Sequence, residues 1–439
     1  MQRGGGIWPR IVAGAALAVI FWLRFPAFSE VEFGLAHNYV RIMTGIEQTG
    51  SFVRTLDRGG TIPEFIREPL YPYALVAADE WLGYYTRLIP FQEMALVATL
   101  LTWVFVIWNR LGWLWGLGFA ALSYFNQPLF LYPAILYPYA FNVLFLSSAL
   151  FFTLKLLETR RLRWAIFAGI AFGLTVHERG SLTPLPLFLA MCLACLPRLV
   201  SRRHVGALAL VYAACVAPWL TRNALHGVIG MTGMNGQVLG YTYGNLITAE
   251  DGKVPPPPDP YGLRPRLVAL IRAQGTDAGT WNFIFGEEES GRQTLAKVNR
   301  ALTYYALQAI EAYPRTAAGI VWNNIATFPC RLVQTRVRSD GLWEYYAHNA
   351  WGRVPTLADW ALVAFAVAGL AMMAYRREPV LAVMAPVLFV IFAIHVLVVV
   401  TDPRYRNGVF DFFIYYAALY ALKAAGEHLI VRRHSKTPA

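Results

Sequence analysis

The run VLAVMAPVLFVIFAIHVLVVV, residues 380–400, has no Asp, Glu, Lys or Arg in 21 positions. About 20 such residues cross the hydrocarbon core of a bilayer as a helix. Ala361–Ala374 and Val205–Leu220 read the same way. Over the 439 residues, 57% are hydrophobic and 15% charged, against about 25% charged in soluble domains. Working outward, the apolar runs fall at 10–28, 90–108, 112–127, 139–157, 163–177, 181–197, 205–221, 358–375, 379–400 and 408–425. The pattern predicts an all-α polytopic membrane protein of about ten transmembrane helices. Arg3 and Arg10 precede the first run as in a signal peptide, but RFPAFSEVE follows it without a small-residue cleavage site, so an uncleaved span is expected.

The positive-inside rule tests this count. With the N-terminus inside, the inner connections hold Arg110, then Lys155/Arg160/Arg161/Arg163, then Arg198/Arg202/Arg203, then Arg376/Arg377, and the tail holds Lys423, Arg432, Arg433 and Lys436. Both termini are thus expected to be cytoplasmic, in a bacterial-type inner membrane. The net charge of +12 is accounted for by this topology. No basic helix with interleaved aromatics suggests nucleic acid. Cys192, Cys195, Cys215 and Cys330 read as packing residues, with neither a zinc site nor a disulfide framework.

The opposite face then collects the unusual polar residues. Three regions are expected: 1–221, a transmembrane module with a first outer loop at 29–89; 222–357, an outer segment of short and amphipathic helices; and 358–439, a C-terminal transmembrane module. The first loop holds eight carboxylates: Glu30, Glu32, Glu47, Asp57, Glu64, Glu68, Asp79 and Glu80. Tyr39–Ile46 and Pro69–Gly83 suit interfacial helices. Gln127–Tyr139, with three prolines, suits a broken or re-entrant segment. Leu267–Ala273, Thr294–Ala312 and Thr316–Ala326 read as helices, and Gly230–Asn245 as a Gly- and Asn-rich loop without a P-loop pattern.

Candidate chemistry lies in five places. Glu30 and Glu32 sit just outside the first span, where a half-desolvated carboxylate can act as a general base; the ordinary alternative is a solvated pair flanking a span. Arg67-Glu68-Pro69-Leu70-Tyr71-Pro72 is a rigid turn whose Arg can hold a phosphate, or simply a surface turn. His177-Glu178-Arg179 and Arg222 lie at outer span ends, where ionisable groups are costly unless used; snorkelling is the alternative. Asp402-Pro403-Arg404-Tyr405-Arg406-Asn407 places two further arginines at headgroup depth, suited to a lipid phosphate or to ordinary headgroups.

Together REPLYPYALVA (67–77), Arg179, PWLTRN (218–223), the loop ending Gly244-Asn245, AYPRTAAGIVWNN (312–324) and DPRYRN (402–407) resemble the GT-C glycosyltransferases. They are most similar to the lipid-linked-sugar branch related to protein mannosyltransferases and aminoarabinose transferases. The resemblance runs nearly the whole length and rests on the order of loose motifs. It implies an inverting transferase that takes a sugar from a polyprenyl phosphate, with a lipid, glycan or protein acceptor. It places the base on Glu32 or Glu30. It places donor phosphate contacts on Arg404 or Arg406 and on Arg67; from their own positions Tyr405, Arg179 and Arg222 are added as expected donor phosphate contacts, and His177, Glu178, Asn245 and Tyr71 as expected acceptor or sugar contacts. No cofactor is assigned, though a divalent cation can steady the leaving phosphate. Glu replaces the family's usual first-loop Asp, 134–142 lacks an acid that many members carry, and the chain reads as a compact member. The other reading is a transporter or flippase for a lipid-linked sugar or other anionic lipid.

Overall fold

A computed structural model describes residues 7–25, 34–56, 59–233, 235–249, 259–275, 279–280, 282–284, 286, 294–329, 355–397 and 408–434. Glu30, Glu32, Arg404, Tyr405 and Arg406 lie outside these residues.

In chain order the elements begin with α1 (Ile7–Trp22), α2 (Gly34–Thr49), β1 (Val53–Thr55), β2 (Thr61–Pro63), α3 (Leu70–Leu82) and α4 (Leu88–Leu111). There follow α5 (Trp113–Tyr124), α6 (Gln127–Leu131), α7 (Tyr139–Thr159), α8 (Leu162–Glu178), α9 (Pro184–Ala194) and α10 (Arg202–Leu225). Next come α11 (Asn235–Ile247), α12 (Arg264–Gln274), α13 (Leu295–Ala312) and α14 (Pro314–Thr327). The last are α15 (Leu357–Tyr375), α16 (Leu381–Leu397) and α17 (Gly408–His434). Each of the ten apolar runs contains a helix among its described residues. Among the described residues, five helices are long and apolar enough to cross a membrane, and three are shorter apolar helices. The fold is an all-α, multi-pass membrane fold. The ten runs are not ten full-length crossings, however: α5 has 12 residues, or about 18 Å at 1.5 Å per residue, well short of a hydrocarbon core.

Two apolar cores organise the helices. The larger joins α4, α7, α8, α15 and α17 through residues such as Leu100, Leu146, Phe172, Met373 and Phe412. The second unites α11 to α14 around Leu267, Leu302 and Tyr305, and includes Phe65 and Ile66 of the first loop. Two features differ from the sequence reading. Most of 230–245 is not a loop but helix α11, because its glycines press on α13: a Cβ on Gly236 would lie 2.0 Å from the Asn299 carbonyl oxygen. The first loop also contains a two-stranded antiparallel hairpin, Val53 opposite Pro63 and Thr55 opposite Thr61.

The basic connections meet at one end of the larger bundle. There Arg110 pairs with Glu158, Lys155 with Glu158 at 2.9 Å, and Arg160 donates to the Arg198 carbonyl at 2.7 Å. The other end carries the first loop and the opposite ends of α4, α8 and α10.

Candidate active site

At that second end a tight turn is built from the hairpin outward. Glu64 is buried; its Oε1 accepts the backbone N–H groups of Ile66 and, at 3.1 Å, Arg67. Its Oε2 lies 3.6 Å from Arg54 Nε, both side chains being buried. Arg222, in the last turn of α10, donates to the carbonyls of Glu64 and Phe52, each at 3.1 Å. Its guanidinium lies 4.5 Å from the Trp219 ring, 4.8 Å from Phe65 and 5.3 Å from Phe52. Planar stacking on aromatic faces with a bidentate grip is what an arginine does and a lysine cannot. The structure therefore gives Arg222 a clamping position that fixes the loop to α10, with its donors turned to backbone carbonyls rather than outward to a phosphate.

The clamped turn presents Arg67, Glu68 and Tyr71. Arg67 is 8% exposed and lies 5.2 Å above the ring of Tyr39 from α2. Glu68 Oε1 accepts the Gly180 N–H at 2.6 Å. Tyr71, fully buried at the start of α3, donates to Gln92 Oε1 at 2.5 Å, and Gln92 Nε2 donates to the carbonyls of Pro133 and Ile135 at 2.8 Å each. Gln92 thus satisfies the open backbone of the broken α6 segment, which protein buries on all sides, as non-helical backbone at membrane depth requires.

The partner segment is the end of α8. Glu178 is 3% exposed, and its Oε2 is buried without a hydrogen-bond partner among the described residues. Arg179 turns extended (φ −152°, ψ 92°) and ends the helix, and its Nε bonds Ser181 Oγ at 3.4 Å. Gly180 has to be small: a Cβ there would meet Met231 Cβ at 3.0 Å and Glu68 Oε1 at 3.3 Å. Tyr39 senses Arg67, Tyr137, Glu68 and Glu178, and burial drives its hydroxyl pKa well up. Burial also raises the Glu68 carboxyl, opposed by the Gly180 N–H and by the charges of Arg67 and Arg179. The arrangement is a half-dehydrated cluster of two carboxyls, two guanidiniums and two tyrosines, in which charge–charge terms are strong.

Of the residues nominated from sequence, the structure brings together Arg67, Arg179, Glu178 and Tyr71. His177 instead bonds the Cys215 carbonyl of α10 at 3.0 Å through Nε2, which makes it an α8–α10 anchor. Asn245 is an exposed residue of α11, on the helices of the second core. Glu68 and Tyr39 were not singled out. Glu68 stands beside Arg67 in the proline-stiffened turn, the one signal that could have raised it above seven other loop carboxylates. Among the described residues no group of three or more His, Cys, Asp or Glu could hold a metal ion. Glu68 feels the charges of Arg67 and Arg179, and Glu178 that of Glu68.

No family model matches the chain, and no curated protein matches it. Solved structures do. An archaeal oligosaccharyltransferase, AglB from Archaeoglobus fulgidus, in complex with an inhibitory peptide and a dolichol-phosphate, aligns with 98% of this chain and 52% of its own, at 16% identity and TM-score 0.48. The Archaeoglobus fulgidus oligosaccharyltransferase tethered to an acceptor peptide aligns with 98% and 51%, at 15% identity and TM-score 0.49. ArnT from Cupriavidus metallidurans in the apo state aligns with 95% and 77%, at 15% identity and TM-score 0.38. The chain spans about half the length of the archaeal enzymes it matches. At these scores the likeness assigns neither an activity nor a residue role. The chain's own residues establish an all-α multi-pass membrane protein in which Arg67, Glu68, Glu178 and Arg179 cluster at one end of its bundle, Arg67 and Glu178 being buried.

Proposed function

We propose that the chain is an inverting glycosyltransferase that moves a sugar from a polyprenyl-phosphate donor to an acceptor hydroxyl at the outer face of the membrane. The observation that carries this reading is the convergence of Arg67–Glu68 and Glu178–Arg179, from two separate segments, at the end of the bundle away from the basic connections. A lipid phosphate sits at the depth of a span end, where Arg67 and Arg179 both act on Glu68, and guanidiniums grip phosphate bidentately.

In this reading Arg67 and Arg179 hold the donor phosphate, joined by Arg404 and Arg406 of the last outer loop. Glu32 or Glu30 takes the proton from the acceptor hydroxyl. The hydroxyl oxygen attacks the anomeric carbon from the face opposite the phosphate. The carbon–oxygen bond breaks with its electron pair going to the phosphate, whose added charge the arginines stabilise. Glu178 Oε2, buried and without a partner among the described residues, accepts a sugar hydroxyl. Glu68 fixes the α8 terminus through Gly180.

Polyprenyl-phosphate binding to the purified, reconstituted protein tests the donor site. Arg67→Gln should weaken it about tenfold or more, the equivalent of about 1.4 kcal/mol. Unchanged affinity would remove Arg67 from the donor site. Lipid binding without sugar transfer would favour a transporter.

A further inference from the structure

At the basic end of the bundle, a helix length from the candidate active site, a cleft of about 200 Å³ opens between the last turn of α4, the α15–α16 connection and α17. Arg110, Arg376 and Lys423 enter it from three different elements, with Tyr416, Tyr420 and Glu378 on its walls. The carboxylates nearby do not balance these cations. Glu378 accepts the Tyr420 hydroxyl at 3.0 Å. Glu158, the partner of Arg110, is shared with Lys155. Glu427, which also lines the cleft, lies 3.7 Å from Lys423 with about half its side chain exposed, a weak pairing in water. Arg376 lies over the Tyr420 ring at 5.8 Å.

A second observation points the same way. Among the described residues, the non-glycine positions with positive φ are Arg160 (52°) and Arg377 (53°). Both end a helix at a basic connection, where glycine is the ordinary occupant of the left-handed position. Arg377 adjoins two residues of the cleft wall, Arg376 and Glu378. Arg377 thus adds a further positive charge at the connection that forms this rim, at a left-handed position.

We propose that this cleft binds a phosphate group, as the headgroup of an anionic phospholipid or as a phosphate from solution. At about 200 Å³ it has room for a phosphate group. Arg110 is in the last turn of a spanning helix, so the cleft stands at headgroup level. Basic pockets between spanning helices draw anionic headgroups at this depth. This site is independent of the transferase reading and is tested without it.

The test uses the full chain reconstituted in phosphatidylcholine vesicles with or without phosphatidylglycerol, with retained lipid counted by native mass spectrometry after extraction. In a second arm, inorganic phosphate is added to the phosphatidylcholine sample and the melting temperature followed. Arg376→Gln with Lys423→Gln, at partly exposed positions, should leave the fold intact and lower phosphatidylglycerol retention about tenfold, as loss of charge-assisted bonds does. Glu378→Gln, which removes a negative charge from the wall, should raise retention. If phosphatidylglycerol is not retained selectively but phosphate raises the melting temperature of the parent protein and not of the double variant, the ligand is soluble phosphate. Equal retention and equal phosphate response in the parent and the double variant would overturn the proposal.

Discussion

At the scale of single residues, sequence marks a charge that is out of place but not what that charge faces. Arg67, Arg179 and Arg222 were all conspicuous as arginines at span ends. The structure turns the first two into a polar cluster and wedges Arg222 between three rings and two carbonyls. Arg222→Lys keeps the charge but loses the planar two-carbonyl grip. It should cost about 2 kcal/mol, the scale of one charged hydrogen bond, read as a lower melting temperature. A melt unchanged from the parent would show that the clamp contributes nothing. Glu68 gives a pH signature. Burial holds its carboxyl above the ordinary range, with Gly180, Arg67 and Arg179 pulling down. The unfolded chain releases that proton near about pH 4.3. Above this the folded state keeps a proton that the unfolded state has lost, so this group's contribution to stability falls as pH rises through the folded value. The melting temperature of Glu68→Gln should therefore decline less than that of the parent as pH is raised from about 4.3 toward neutrality. Parallel curves would contradict the sign.

At the scale of elements, apolar period and proline placement made most of the architecture legible. The helices α2 and α3, the helices α12 to α14 and the broken segment after Asn126 all lie where composition puts them. Composition failed at α11 and at the hairpin. Glycines that let α11 sink onto α13 look in sequence like loop residues, and two strands of three residues each are too short to show an alternating pattern. Close helix approach through glycine recurs where α15 crosses α17. A Cβ on Gly369 would lie 1.9 Å from the Ala417 carbonyl oxygen and 2.6 Å from its carbon. Backbone cannot move aside as a side-chain tip can, so Gly369→Ala should cost about 3 kcal/mol and lower the melting temperature sharply. A near-parental melt would mean that the two helices are not packed as described.

At the scale of the whole molecule, α8 joins the two ends that matter. It starts beside Arg160 and the basic connections and ends at Glu178; its 17 residues rise about 25 Å. Charge asymmetry along the sequence was enough to separate these ends, because Lys and Arg counts between apolar runs survive any uncertainty in helix boundaries. It was not enough to show which loop carboxylate joins the site, since that depends on a turn locked by Glu64 and by Arg222 from the far end of α10. The central claim is that the Arg67–Glu68–Glu178–Arg179 end holds a lipid-linked sugar for transfer. The most direct measurement is the release of polyprenyl phosphate from polyprenyl-phosphate sugars by the purified, reconstituted protein supplied with membrane acceptors. The account predicts release by the parent protein, at least tenfold less by Arg67→Gln, and about a thousandfold less when Glu30 and Glu32 are both changed to Gln, within the range for loss of a general base. Release that is equal in all three proteins, or absent in the parent while the lipid still binds, would contradict it.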